Sequence, residues 1–130
     1  AIMAEGYLTV VRDPVEVVHG ALYDLPLADL PALDRYEEVA RGLYVKTPQP
    51  VLREGARPTQ ALIYIGKGRG GARGKPPAGY LEAVERAARD IGLPELYVAR
   101  LRALRTGEAP EAAPAGRFRA IRRPDLVAKD

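Results

Sequence analysis

The run TQALIYIG, residues 59–66, is the strongest strand signal in the chain, and it constrains the fold more than any other feature. Two helical patterns follow it. In the first, Tyr80, Val84, Ala87 and Ile91 are apolar at steps of four, three and four residues, and Gly92 ends the pattern. The second runs from Pro94 to about residue 105. A strand followed by two helices predicts an α+β domain.

The part of the chain before residue 59 predicts three more strands and a short helix. Residues 7–11 (YLTVV) and 15–25 (VEVVHGALYDL) are rich in β-branched side chains, which favour strands. Leucines recur at helical spacing over residues 27–33 and predict the helix. Residues 42–52 (GLYVKTPQPVL) are typical of a strand, but the two prolines inside it predict a position at a sheet edge.

Length and composition exclude several classes of protein. The 130 residues predict one domain, which we place at residues 1–105, followed by a Pro/Ala-rich basic tail at 106–130. The chain has no cysteine and one histidine, which excludes disulfides, thiolate metal sites and multi-histidine metal sites. No apolar run approaches the ~20 residues of a membrane span, and no signal peptide is visible, so we predict a cytoplasmic protein without a membrane partner.

A glycine-rich basic loop follows the strongest strand. Gly66, Gly68 and Gly71 have the spacing of a dinucleotide-binding loop, but the chain then enters Pro76–Pro77 instead of opening a helix. The cations of this loop have no aromatic residue between them on which a base could stack. We therefore predict a solvated loop, and we expect no nucleic-acid partner. The alternative is a nucleic-acid-binding function, in which the loop's arginines bind RNA in a salt-sensitive way.

Three acids, Asp34, Glu37 and Glu38, stand where the short helix ends. Acids at a helix C-terminus oppose the helix dipole, which is slightly unfavourable. They fit either a solvated helix end or a site that needs a carboxylate, and spacing alone leaves both interpretations open. His19, a lone imidazole inside a predicted strand, is interpreted as a structural residue.

Four blocks in the chain together resemble the γ-glutamylcyclotransferase-like family, in the family's order and at its separations. They extend over about four fifths of the chain, and the second and fourth are specific in combination. The blocks are VHGALYDL (18–25), LPALDRYEEVARGLY (30–44), ALIYIG (61–66) and PPAGYLEAVERAARDIGLPELYVARL (76–101).

The resemblance implies a small mixed β-barrel flanked by helices, with a cavity at its mouth. Such enzymes act on a γ-glutamyl amine or γ-glutamyl amino acid, whose own α-amine attacks the γ-carbonyl and releases 5-oxoproline. By the match to the family's L-D-x-x-E pattern, Glu37 falls on the catalytic acid/base. Tyr44, Tyr64 and Tyr80 fall on tyrosine positions that bind substrate, and neither metal nor cofactor is required. A non-catalytic barrel that binds a small ligand or a protein is the alternative function.

The chain departs from the family's pattern in two places. The residue after the catalytic glutamate is glycine in the family, and here it is Glu38. The family also begins with a strand and a Tyr-Gly-Ser-type loop whose backbone N–H groups hold the developing oxyanion, and no such loop occurs in this sequence. We therefore expect an upstream segment or self-association with a second chain to complete the barrel.

Overall fold

A computed structural model describes residues 1–53, 57–67 and 73–107 of the chain. These residues form two compact units, which are treated separately below. The first unit consists of the described residues of Ala1–Val18, Tyr23–Val51 and Thr59–Ala78. The second consists of His19–Leu22 with the described residues of 52–58 and 79–130. The glycine-rich loop at 68–72 and most of the predicted tail, 108–130, lie outside the described residues.

The first unit contains an antiparallel pair of strands, β1 (Tyr44–Val51) and β2 (Thr59–Gly66). Their register runs without interruption from Tyr44 opposite Gly66 to Val51 opposite Thr59. Both strands were predicted. Pro48 and Pro50 lie two residues apart, so their nitrogens point to the same side of β1. An unbroken ladder requires that side to be the one facing away from β2, as predicted for a sheet edge.

The short helix precedes β1 in the same unit. A 3₁₀ turn at Leu27–Asp29 leads into α1, Leu30–Tyr36, in which Pro31 occupies the first turn, where its missing N–H costs no hydrogen bond. A second 3₁₀ turn, Val39–Arg41, then leads towards β1. The helix lies where the leucine spacing predicts it.

The strands predicted at residues 7–11 and 15–25 are wrong. The only pairing in the first of these segments is an isolated bridge between Ile2 and Leu8, and the second segment has no strand residue. Val15 and Tyr23, for example, are mostly exposed. β-Branched residues favour an extended backbone, but a strand also requires a neighbouring strand to bond with. In the described part of the chain, residues 7–11 pair only with residues 1–3 through that bridge, and residues 15–25 have no neighbouring strand.

The N-terminal segment folds back on itself and packs against residues 74–76. Gly6 has a φ of +89°, a conformation that residues with a side chain rarely adopt. A Cβ atom placed on Gly6 would overlap the backbone carbonyl of Lys75, which cannot move aside as a flexible side chain does. The close approach of these two backbones therefore requires glycine at this position.

We expect Gly6→Ala to lower the free energy of unfolding by about 3 kcal/mol, because it adds left-handed strain to an overlap with backbone. Gly20→Ala is the matched control, since a Cβ at Gly20 meets no atom within 4 Å. Urea denaturation should show the loss for Gly6→Ala and little change for Gly20→Ala. Equal stability of the two variants would contradict the described packing of the N-terminal segment.

The second unit is built on two helices, α2 (Tyr80–Asp90) and α3 (Glu95–Thr106), both of which were predicted. The buried stripe of α2 differs from the predicted one. The buried residues are Leu81, Glu85 and Ala88, while Ala87 is exposed. The buried stripe is therefore displaced by one position from the predicted one. It includes Glu85, whose charge is compensated in the fold.

The α+β class is therefore confirmed: the described residues form two antiparallel strands and three α-helices. Within those residues, the sheet has two strands and is not closed into a barrel. None of the described helices has both the length and the apolar character that crossing a membrane requires.

Candidate functional site

The end of α1 places two carboxylates next to the sheet of the first unit. Asp34 lies in the last turn of α1, and Glu37 is the residue at which the helix ends, with its backbone N–H bonded to the carbonyl of Leu33 at 2.8 Å. Residues three apart at a helix end lie on the same side. The two residues therefore lie on the same side of the end of α1, yet the surroundings of their carboxylates differ.

Asp34 is held by two side chains from the sheet. Lys46 of β1 donates to both carboxylate oxygens, at 3.0 and 2.8 Å, and the Tyr64 hydroxyl of β2 donates to Oδ1 at 2.7 Å. These hydrogen bonds, from Lys46 first and then Tyr64, lower the pKa of Asp34. Asp34 therefore stays ionised, and it attaches α1 to both strands of the sheet.

Glu37 is half-buried, and its carboxylate has no hydrogen bonds comparable with those of Asp34. In the described ranges of the chain, no group donates a hydrogen bond to its carboxylate. Burial raises the pKa of Glu37, because the charged form loses hydration without gaining a partner. A carboxylate in this state binds a proton more readily than an exposed glutamate does.

Tyr64 is hydrogen-bonded to one of the two carboxylates, that of Asp34. Burial, the hydrogen bond to Asp34 and then the charges of Asp34 and Glu37 raise the pKa of Tyr64 to about 12. The phenol therefore keeps its proton at physiological pH, and that proton is donated to Asp34. The charge of Glu37 is the smallest of these contributions.

Glu38 stands where the resemblance predicts glycine, and its backbone conformation is one that glycine adopts readily. Its φ of +50° lies in the left-handed region, and in the described part of the chain no other residue with a side chain has a positive φ. Its side chain pairs with Arg41 at 3.0 Å on the surface. An exposed pair of this kind contributes little stability, so the strain is largely uncompensated.

We expect Glu38→Gly to raise the free energy of unfolding by about 0.5–1 kcal/mol, because removal of the left-handed strain exceeds the entropy cost of glycine. The control is Glu38→Ala, which removes the carboxylate and the ion pair but keeps the strain. Chemical denaturation should rank Glu38→Gly above the wild type and Glu38→Ala no higher than the wild type. The reverse order would contradict a left-handed residue 38.

The other two predicted substrate-binding tyrosines have different surroundings. The hydroxyl of Tyr44, a buried residue at the start of β1, donates to the carbonyl of Leu8 at 2.6 Å. Tyr80 is half-buried, begins α2 and belongs to the second unit. Of the predicted site residues, Glu37, Tyr44 and Tyr64 thus share the first unit. The binding roles of all three tyrosines stay predictions.

A surface depression of about 200 Å³ lies on the first unit, and Glu37 is not among the residues that line it. It is lined by Glu5, Glu38, Arg41, Gly42, Leu43 and Lys67. No group of three His, Asp or Glu residues in ranges 1–53, 57–67 and 73–107 is arranged to hold a metal ion.

Two groups of charged residues were missed by sequence reasoning. One is Lys46 with its bonds to Asp34, and the other is a cluster around Glu85 in the second unit. Glu85 is 7% exposed and accepts from Arg89 at 2.7 Å, Arg102 at 3.0 Å and Arg105 at 3.4 Å. The Arg89 contact alone was readable from the sequence, as an i, i+4 pair on a helix.

His19 contacts Tyr97 within the second unit, with ring centroids 5.1 Å apart and planes inclined by 60°. This packing agrees with the interpretation of His19 as a structural residue.

Comparison with known proteins gives one match. A family model described as the AIG2-like family matches residues 17–101, which is more than half of the chain and includes every predicted site residue. No curated protein is similar enough to match the chain, and neither is any solved structure. On this match, the chain belongs to the AIG2-like family, which is the gamma-glutamylcyclotransferase-like family.

Proposed function

We propose that the protein releases 5-oxoproline from a γ-glutamyl amine or γ-glutamyl amino acid, with Glu37 as the general acid/base. The observation that carries this proposal is the contrast between the two carboxylates at the end of α1. Asp34 has its pKa lowered by Lys46 and Tyr64, and Glu37 has its pKa raised by burial. Neighbouring groups whose pKa values are displaced in opposite directions are typical of acid/base sites.

The reaction needs one group that first takes a proton and then returns it. Glu37 takes a proton from the substrate's α-amine as its nitrogen attacks the γ-carbonyl carbon and forms the ring C–N bond. The tetrahedral intermediate then collapses, and Glu37 gives the proton to the departing nitrogen as the original amide C–N bond breaks. A glutamate whose pKa is raised is a stronger base than an exposed glutamate in the first step. Because its pKa moves towards the operating pH, it is also suited to hold the proton and return it in the second step.

The resemblance also predicts parts of the site that the described residues do not test. We propose that β1 and β2 belong to a closed barrel and that Tyr44, Tyr64 and Tyr80 bind substrate, as the resemblance implies. Backbone N–H donors of a Tyr-Gly-Ser-type loop would stabilise the oxyanion, and the loss of one such donor costs about 3 kcal/mol. An upstream segment or a second chain as the source of these donors stays a prediction, as does the cytoplasmic location.

The experiment is an assay of the purified protein against a panel of γ-glutamyl amines and γ-glutamyl amino acids, with 5-oxoproline measured by chromatography. Saturable formation of 5-oxoproline, together with a stoichiometric amount of the leaving amine, is the expected result. Release of glutamate instead of 5-oxoproline would mean that water is the nucleophile, and it would exclude the cyclisation.

A non-catalytic binding protein is the second candidate, and one observation favours it. The depression beside Glu38 and Arg41 is not lined by Glu37, as expected of a ligand site that does not use the glutamate. If no member of the panel yields 5-oxoproline while a γ-glutamyl compound still binds in calorimetry, this second candidate replaces the first.

A further inference from the structure

The surface depression on the first unit is formed by three segments that are far apart in the sequence. They are the N-terminal turn, the turn after α1 and the residue that follows β2. These segments contribute two acids, two cations and two uncharged residues: Glu5, Glu38, Arg41, Lys67, Gly42 and Leu43. The depression is therefore a product of the fold, and most of the side chains that line it are charged.

Backbone hydrogen bonds hold the segments that carry Glu5 and Lys67. In the N-terminal turn, the N–H of Gly6 donates to the carbonyl of Met3 at 3.0 Å. After β2, the N–H of Lys67 donates to the carbonyl of Leu43 at 2.9 Å, which joins the end of β2 to the residue before β1. The side chains of Glu5 and Lys67 are exposed, but the backbone that positions them is tied to the rest of the unit.

The backbone N–H groups of the turn after α1 are used within that turn. Those of Arg41 and Leu43 donate to the carbonyl of Glu38, at 3.0 and 3.3 Å. That of Gly42 donates to the carbonyl of Val39 at 3.0 Å. Phosphate sites in loops depend on backbone N–H groups that point at the anion, and these groups are already bonded. A ligand of the depression therefore has to be recognised by charged side chains.

Two of the four charged side chains neutralise each other, and two do not. Arg41 Nη1 and Glu38 Oε1 form an ion pair at 3.0 Å. Glu5 and Lys67 line the same depression, and within ranges 1–53, 57–67 and 73–107 neither side chain has an ion-pair or hydrogen-bond partner. A carboxylate and an ammonium group that line one depression without bonding to each other can both pair with one molecule of opposite charges.

The balance of charge and the size of the depression limit what that molecule is. Two acids and two cations sum to no net charge, which favours neither a multiply charged anion nor a metal ion. The volume of about 200 Å³ is below the roughly 300–1,000 Å³ of sites for drug-sized ligands. A small molecule with one ammonium and one carboxylate group fits both limits.

We propose that this depression binds a small zwitterionic amino acid, whose ammonium group pairs with Glu5 and whose carboxylate pairs with Lys67. Glu38 and Arg41 neutralise each other and form the rest of the charged lining. The site goes beyond the proposed release of 5-oxoproline, because Glu37 does not line it. Exposed ion pairs are screened by water, so we expect a dissociation constant on the order of 1 mM.

The test measures the binding of L-alanine and of 4-aminobutyrate to the full chain by ¹H–¹⁵N NMR at low ionic strength. The two probes hold their charges at different separations. For each probe, the N-acetyl derivative lacks the ammonium charge and the amide derivative lacks the carboxylate. We expect at least one probe to shift the backbone amides of residues 41–43 and 67 saturably, and both of its derivatives to bind about tenfold more weakly. No saturable shift with either probe, or equal binding of a probe and its derivatives, would overturn the proposal.

Two variants identify which charge meets which end of the probe. Glu5→Gln should weaken binding of the zwitterion about tenfold and leave binding of the N-acetyl derivative unchanged, since that derivative has no ammonium charge to lose. Lys67→Gln should weaken binding of the zwitterion equally and leave binding of the amide derivative unchanged. Both side chains are exposed, so both variants should stay folded.

The matched controls are Asp24→Asn and Arg35→Gln. Each removes an exposed charge of the first unit that does not line the depression, and each should leave binding unchanged. Equal weakening in the control and test variants would mean that binding follows the net charge of the protein, and it would reject the site.

The binding measurement is independent of turnover, so it can fail or succeed separately from the proposed reaction. Binding that is lost in Glu37→Gln but kept in Glu5→Gln and Lys67→Gln would assign the amino acid to the reaction site and overturn the proposal. An active enzyme that binds neither probe likewise has no such site. The expected binding in a protein that releases no 5-oxoproline would support the site and reject only the reaction.

Discussion

Glu37→Gln is expected to reduce the rate of 5-oxoproline release by at least about a thousandfold, while the protein stays folded. Glutamine preserves the size of the side chain but cannot take a proton from the attacking amine or return one to the leaving nitrogen. General acid/base catalysis contributes about 10²–10⁴-fold, and here one residue performs both proton transfers. The measurement is kcat/KM at pH 7, with thermal unfolding recorded on the same samples.

The control is Glu38→Gln, which changes the adjacent carboxylate. Glu38 is paired with Arg41 at the surface, and it is not placed in the reaction, so activity should stay within about threefold of wild type. Equal losses of kcat/KM in Glu37→Gln and Glu38→Gln would mean that activity depends on the total negative charge near α1 and that Glu37 has no specific role.

Glu85→Gln is expected to lower the Tm by about 10 °C. Glu85 is the one negative charge on which Arg89, Arg102 and Arg105 converge, two of them from α3. Without it, three guanidinium groups face one another without a counter-ion. The arginine side chains are 37–52% exposed, so water compensates part of their charge. The loss comes mainly from the charge-assisted hydrogen bonds by which Glu85 joins α2 to α3.

The matched control is Glu82→Gln, which removes an exposed carboxylate one turn earlier in α2 and should change Tm by no more than about 2 °C.

The dependence of the Tm on pH provides a further check of the Glu85 cluster. Arg102 first, and then the other arginines, lower the pKa of Glu85 below its ordinary value of 4.5. The stability that ionised Glu85 gives the fold is therefore complete above pH 4.5, and it is lost as the pH falls through the lowered pKa of Glu85. The Tm difference between wild type and Glu85→Gln should shrink over that range, and a difference that stays constant would contradict the cluster.

The sequence predicted the parts of the fold that depend on local patterns. α2 and α3 were found because their apolar spacing is helical and glycine and proline mark their ends. β1 and β2 were found because their composition and their flanking turns are typical of strands. The strand at residues 15–25 was predicted wrongly, because β-branched composition says nothing about whether a partner strand is present.

The sequence predicted only part of the site, because the site, like a strand pairing, depends on contacts between distant parts of the chain. Glu37 was found through a family pattern, and its burial could not be deduced from spacing. Lys46 and Tyr64 are 12 and 30 residues from Asp34 in the chain, so the network that sets the state of Asp34 is a consequence of the fold. Glu85 was missed because a buried glutamate breaks the apolar pattern, and only the folded α3 supplies two of its arginines.

The two prolines of β1 determine on which side the sheet can grow. A strand approaching the outer edge of β1 would find two amide donors missing within three residues, at Pro48 and Pro50. In the described residues, no strand pairs with the outer edge of β2, which has no proline, and only its Gly66 N–H is shown bonded, to the hydroxyl of Thr9. Any added strand, whether from the same chain or from another copy, should therefore join at β2, and this one-sidedness protects β1 from uncontrolled edge-to-edge association.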